Sequence, residues 1–252
     1  MTKILLCDCS ILTTQETYEK AYRLVSAFRQ KKADACKAKM DRARCIGAGL
    51  LLREAFFSCC KHAGEACSEN EPVRLFTHEI KDLLKERSKE EEEFYLELGE
   101  RADSHGRSHW EGEGSLWKDL FWIPYVSISH SGELAAVALS DQPVGLDIQK
   151  TRTFTKGMIK RVLSDSELAA YERFLQGASG LQEDRAMQEA QAYLLFTWCK
   201  KEAAAKLDGR GIFAMLSEVS KDGWEENARI QIDRLSLPDG YAGAVAGRCA
   251  KT

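Results

Sequence analysis

Apolar positions along the chain follow two periods, and each predicts a different kind of element. The short apolar run at residues 3–12 reads as a buried first strand. Over about residues 15–36, Tyr18, Tyr22, Val25 and Phe28 recur at helical spacing with the charges elsewhere, which predicts an amphipathic helix. A second helix is expected over about residues 41–62, with Ile46, Leu50, Leu51 and Phe57 as its stripe. Residues 73–102 also read as helical, and their acidic run Glu90-Glu91-Glu92-Glu93, beside Lys85, Arg87 and Lys89, reads as a solvated face. Residues 104–115, rich in Gly, Ser and His, read as a loop.

The texture then changes. Short apolar runs at 125–128, 134–139 and 144–148, separated by turn residues, predict strands of a sheet. Helices are expected at about 155–176 and 186–208, and residues 228–235 and 241–246 flank Pro238-Asp239-Gly240 as a closing hairpin. Helices and strands thus occur in each half, with a seam near residues 140–142 and no strict sequence repeat. The fold class is α+β, divided into an N-terminal half at 1–141, with a helical insertion at about 73–116, and a C-terminal half at 142–252.

Composition narrows the classes. The 252 residues are 44% hydrophobic and 30% charged, the balance of an ordinary globular protein. A net charge of −3 argues against a general nucleic-acid binder. No apolar run reaches the ~20 residues of a membrane span, and the N-terminus lacks a small-residue cleavage pattern. A cytoplasmic protein is expected. The cysteines stand at 7, 9, 36, 45, 59, 60, 67, 199 and 249. Cys7 and Cys9 would face one side of a strand like half of a metal site, but no second pair or nearby histidine completes it, so reduced thiols are expected.

Three motifs carry chemistry. Ser129-His130-Ser131-Gly132, at a strand end, offers hydroxyls, backbone N–H groups and an imidazole suited to an oxyanion or phosphate, or simply forms a hairpin turn. It lacks the Gly-x-Ser-x-Gly elbow of a serine hydrolase. In Val144-Gly145-Leu146-Asp147-Ile148, a carboxylate flanked by Leu146 and Ile148 is costly to bury unless backbone N–H groups or a cation pair with it. In Trp198-Cys199-Lys200-Lys201-Glu202-Ala203-Ala204-Ala205-Lys206, helical spacing puts Trp198, Glu202 and Lys206 on one face. Glu202 and Lys206 could be only a surface ion pair. Asp147 and Glu202 could also share a divalent cation with water and substrate phosphates, the usual Mg²⁺ arrangement.

The order of these motifs resembles the Sfp-type 4′-phosphopantetheinyl transferases, and the last matches the family's Trp-x-x-Lys-Glu-Ala-x-x-Lys signature. The resemblance is clear over 125–212, while residues 62–116 resist matching. It implies two similar α+β halves in pseudo-twofold arrangement with the active site between them. It implies transfer of phosphopantetheine from coenzyme A to a serine of an acyl, peptidyl or polyketide carrier protein, releasing 3′,5′-ADP. Mg²⁺ is the implied metal, held by Asp147 and Glu202, with Gln149 where many relatives carry a further acid. Glu202 would also help deprotonate the carrier serine, and Lys206 would meet the pyrophosphate. Lys201 occupies the family's other lysine position. Arg29, Lys32, Arg44, Ser129 and His130 fall at the family's coenzyme A side, as does Lys118 near the adenine.

Between Asp147 and Asp165 there is no acidic residue, whereas Lys150, Arg152, Lys156, Lys160 and Arg161 all fall there. That segment is a candidate docking face for an acidic carrier, or the basic outer face of an amphipathic helix. A monomer is expected. The rival readings are a non-catalytic coenzyme A or carrier-protein binding module on the same fold, and a plain scaffold with surface ion pairs. The second leaves three motifs in one order unexplained.

Overall fold

The computed structural model describes residues 2–61, 73–85, 87–89, 100–102, 108–110, 125–176 and 183–249. It divides into two compact units, Met1–Val144 and Gly145–Thr252.

In the first unit β1 (Thr2–Asp8) ends where Asp8 Oδ1 accepts both the backbone N–H and the hydroxyl of Ser10, at 2.7 and 2.6 Å. This Asx turn starts a single 3₁₀ turn at Ser10–Thr13, so the strand stops short of residue 12. The single helix expected over 15–36 is two: α1 (Gln15–Arg23) and α2 (Ala27–Asp34). Ser26 caps the second by accepting from the Arg29 N–H, and Gln30 donates to the Tyr22 carbonyl that α1 leaves open. The helix α3 (Lys39–Lys61) buries Ile46, Leu50, Leu51 and Phe57 as its stripe requires.

The helix expected over 73–102 does not begin at residue 73. Arg74–His78 is a strand, β2, paired parallel to β1 with Leu5 opposite Phe76, followed by the one-turn helix α4 (Ile80–Leu83). Charged residues nearby mimicked a helix face, but Leu-Phe-Thr at the sheet edge satisfies its backbone on β1. Two further short strands, β3 (Glu100–Ala102) and β4 (Ser108–Trp110), pair antiparallel, so the loop expected over 104–115 contains a strand. The Glu90–Glu93 run lies outside the described residues.

The hairpin β5 (Tyr125–Ser131) and β6 (Leu134–Ser140) closes the sheet in the order β2-β1-β6-β5. Its two-residue turn is Gly132-Glu133, and Gly132 holds φ 55°, a left-handed value suited to such a turn. The sheet, α3 and the loops after β1 enclose one apolar core, with β6 buried along its whole length.

The second unit shares part of this topology, with three strands in its sheet instead of four. A first strand, β7 (Val144–Lys150), leads into helices α5 (Lys156–Val162), α6 (Asp165–Gln176), α7 (Glu183–Asp208), α8 (Ile212–Val219) and α9 (Trp224–Ala228). A hairpin, β8 (Ile230–Arg234) with β9 (Tyr241–Arg248), then returns so that its second strand lies beside β7, giving the order β7-β9-β8. In both units the hairpin's later strand sits next to the unit's first strand. The helix expected over 155–176 is interrupted by a capping box: Ser164 N–H donates to Glu167 at 2.8 Å, and Glu167 N–H to the Ser164 hydroxyl at 3.3 Å. The elements α8 and α9 were not foreseen, because Gly209, Gly211 and Gly223 around them read as loop. Among the described residues no helix is long and apolar enough to cross a membrane.

Candidate active site

One close approach sets the site. A Cβ built at Gly145 would overlap the carbonyl oxygen of Ala203 and come within 2.5 Å of the Leu207 nitrogen. Only glycine lets β7 lie this near the backbone of α7. The helix contributes matching smallness, since Ala203, Ala204 and Ala205 are all fully buried. The result carries Asp147, two residues on along the strand, to the last turns of α7.

There the Lys206 ammonium donates to Asp147 Oδ1 at 2.7 Å and to the Leu146 carbonyl at 2.9 Å. Asp147 is only 6% exposed, so this cation supplies the pairing that a buried carboxylate needs. The Cys199 thiol donates to the Ala242 carbonyl at 3.4 Å and also bonds Asp147; burial and then that charge push its pKa well up. Cys199 is therefore a packed thiol and not a nucleophile.

Glu202 stands one turn before Lys206. Burial and then the charge of Asp147 push its pKa up to about 7, against the opposing pull of Lys206 and Arg152. The two carboxylates are thus close enough for the charge of one to act on the other. Gln149 points from β7 to the same side as Asp147, and its amide donates to the Lys150 carbonyl at 3.3 Å. Among the described residues no cluster of three or more His, Cys, Asp or Glu side chains forms a metal cage. Mg²⁺ does not require one. Two carboxylates, waters and substrate phosphates suffice, so Asp147 and Glu202 fit that ion.

Lys201, its neighbour in sequence, faces elsewhere. It is fully buried, donates to the Val162 carbonyl at 2.5 Å and pairs with Glu167 of the capping box. Burial pulls its pKa down while Glu167 pushes it back. It ties α7 to the junction of α5 and α6, so the structure does not bring it to the Asp147–Glu202 face. The capping box could have been read from Ser164-x-x-Glu167, whereas its lysine could not.

In the N-terminal unit, the Arg44 guanidinium donates to the Gly132 carbonyl at 2.9 Å and pairs with Asp41. Arg44 and the Ser-His-Ser-Gly segment therefore do meet. That segment is strand until its last residue: Ser127, Ser129 and Ser131 are buried on one face of β5, and His130 is exposed on the other. The hydroxyl of Ser129 and the imidazole of His130 consequently point apart, correcting the picture of a turn that presents both. Arg29 is buried beneath α3, where Gly49 makes room for it, and Lys32 is exposed on the same helix, α2. Both draw down the pKa of Cys45, which burial raises to about 11. Lys118 lies outside the described residues.

Two comparisons bear on this arrangement. Residues 143–242 match the family model of the 4′-phosphopantetheinyl transferase superfamily. The chain is 31% identical to the 4′-phosphopantetheinyl transferase psf-1 of Bacillus pumilus over 150 residues, covering 55% of this chain and 60% of that protein. It is 29% identical to the 4′-phosphopantetheinyl transferase Sfp of Bacillus subtilis over 118 residues, covering 47% of this chain and 46% of that protein. The matched parts span about half of these relatives' lengths. The segment matched by the family model, residues 143–242, holds Asp147, Glu202 and Lys206, so the likeness to the 4′-phosphopantetheinyl transferase superfamily falls on the site.

Proposed function

We propose that the chain transfers 4′-phosphopantetheine from coenzyme A to a serine of an acyl, peptidyl or polyketide carrier protein, in a Mg²⁺-dependent reaction that releases 3′,5′-ADP. The observation that carries this reading is the meeting of Asp147, Glu202 and Lys206 in the segment that matches the superfamily.

Mg²⁺, when held by Asp147 and Glu202 with Gln149 beside them, would neutralise charge on the phosphates during transfer. Glu202 is placed to help deprotonate the carrier serine, directly or through bound water. Lys206, fixed by Asp147 and the Leu146 carbonyl, is the cation placed for the pyrophosphate and the charge of the leaving group. Of the residues matched to the coenzyme A side, Lys32, Arg44, His130 and Lys118 are assigned to coenzyme A, its 3′-phosphate calling for the cations, whereas Arg29 and Ser129 are buried and are assigned to supporting that side. Lys201 serves by anchoring α7. The exposed Lys150, Arg152, Lys156, Lys160 and Arg161 form the face proposed for an acidic carrier. A cytoplasmic monomer belongs to the same proposal, and sedimentation would test its mass.

Incubation with apo-carrier, coenzyme A and Mg²⁺, followed by intact mass, tests the activity. The carrier should gain one phosphopantetheine, and Glu202→Ala should abolish the gain while circular dichroism stays unchanged. Undiminished transfer by that variant removes Glu202 from the mechanism, and no transfer by the wild type removes the reading.

A further inference from the structure

Trp198 shares its helix face with Glu202, yet it is not needed for the chemistry described above. The structure shows what rests on it. The guanidinium of Arg152 lies 4.9 Å from the centroid of the Trp198 ring and 4.8 Å from that of Phe154. The two rings are themselves 6.0 Å apart and tilted by 56°, so they form a two-walled cradle around one cation. Stacking of this kind favours arginine, whose planar, weakly hydrated guanidinium gives its face to the rings and keeps its N–H edge for in-plane hydrogen bonds.

The loop bearing Arg152 is fixed on both sides. Thr151 donates its backbone N–H and its hydroxyl to the Gly240 carbonyl, at 2.7 and 2.9 Å. Thr155 caps α5 by accepting from the Met158 N–H at 3.3 Å. Between these anchors, the Arg152 edge donates to the Met158 sulfur at 3.8 Å, a weak acceptor that a charged oxygen would displace. Trp198 is four residues before Glu202 on α7, so the cradle lies one turn from the site carboxylate. Arg152 is also close enough to Glu202 to pull its pKa down. The residue is solvent-exposed despite these contacts.

We propose that Arg152 is an oxyanion-binding residue of the site, held by Phe154 and Trp198 so that its N–H edge meets a substrate oxyanion beside Glu202. The inference rests on the transferase reading and deepens it by naming a recognition residue and its platform. The oxyanion is a phosphate group of coenzyme A or a carboxylate of the carrier near its serine. A long-range charge would act as well from a lysine, but a bidentate contact from a stacked guanidinium would not.

The experiment measures kcat and both KM values for the wild type, Arg152→Ala, Arg152→Lys and Phe154→Leu, with calorimetric titration of coenzyme A in Mg²⁺. Arg152→Ala should lower kcat/KM by about tenfold or more, as for loss of a hydrogen bond to a charged group. Arg152→Lys should stay nearer to the alanine variant than to the wild type, and Phe154→Leu should lose several-fold with the guanidinium still present. Weaker coenzyme A binding assigns the oxyanion to phosphate, and a raised carrier KM with unchanged coenzyme A affinity assigns it to the carrier. Full activity of Arg152→Lys overturns the proposal, because charge alone would then suffice; so does full activity of Arg152→Ala. A wild type without transfer would instead sink the underlying reading.

Discussion

The Lys206 ammonium sits 2.7 Å from Asp147 Oδ1 across 59 positions of sequence, on the last turn of α7 and the middle of β7. Removing it would leave a buried carboxylate short of a partner, at a cost of about 1–3 kcal/mol. We expect Lys206→Ala to melt lower than the wild type in EDTA and to recover more of its melting temperature when Mg²⁺ is added. Equal responses to Mg²⁺ in both proteins would show that the ion does not use Asp147.

Glu202 makes stability and metal binding depend on pH in opposite senses. Its pKa is raised from the ordinary 4.5 to about 7, so the folded state holds this proton more tightly than the unfolded chain. The stabilising contribution is complete below about 4.5 and is lost as pH rises through about 7. In EDTA, Glu202→Gln should therefore match the wild type in melting temperature near pH 5 and exceed it near pH 8. Mg²⁺ must displace the proton, so the half-saturating Mg²⁺ concentration should rise about tenfold per unit well below pH 7. A wild-type Mg²⁺ requirement that is flat from pH 6 to 8 would contradict this.

Gln149 stands two residues after Asp147, on the same side of β7 but without charge. We expect Gln149→Glu to lower the Mg²⁺ concentration needed for half-maximal transfer by adding a third carboxylate to the site. Overlaying Mg²⁺ titrations of the two proteins would place residue 149 outside the ion's reach.

Gly145→Ala should be among the most damaging small substitutions in the chain. Its methyl group would meet backbone atoms at Ala203 and Leu207, which cannot rotate away, so α7 must move off β7. A loss of about 3 kcal/mol or more is expected from such overpacking, read as a lower urea midpoint. Activity should fall further than stability accounts for, since the shift separates Asp147 from Lys206. A wild-type midpoint would refute the close approach.

The basic segment gives a test of docking. Charge reversal at Lys156 and Lys160 should raise KM for an acidic carrier, leave KM for coenzyme A unchanged and flatten the salt dependence. An unchanged carrier KM would leave those lysines as a solvated helix face.

How much was legible beforehand differs by level. The strands at 125–128, 134–139 and 144–148 and the long helices were visible because apolar spacing reports burial directly, and β6 and α3 are buried as their patterns require. Breaks were less visible. The split between α1 and α2 at Ser26, and between α5 and α6 at Ser164, depends on single side chains competing for backbone groups, a local choice that periodicity averages out. The strand β2 was misread because an edge strand takes its identity from a partner, and that partner, β1, lies some seventy residues earlier.

By itself the sequence determined the α+β class, the three motifs in their order, and the helix face shared by Trp198, Glu202 and Lys206, because each follows from spacing within one element. Only the tertiary structure decided which charge meets which. It paired Lys206 with Asp147, sent the adjacent Lys201 into the core against Glu167, and set Arg152 on Trp198 and Phe154. Neighbours on a helix point about 100° apart, so adjacent lysines meet different surroundings. A side chain's charge is written in the sequence, whereas its burial and partner come from whichever element packs across from it.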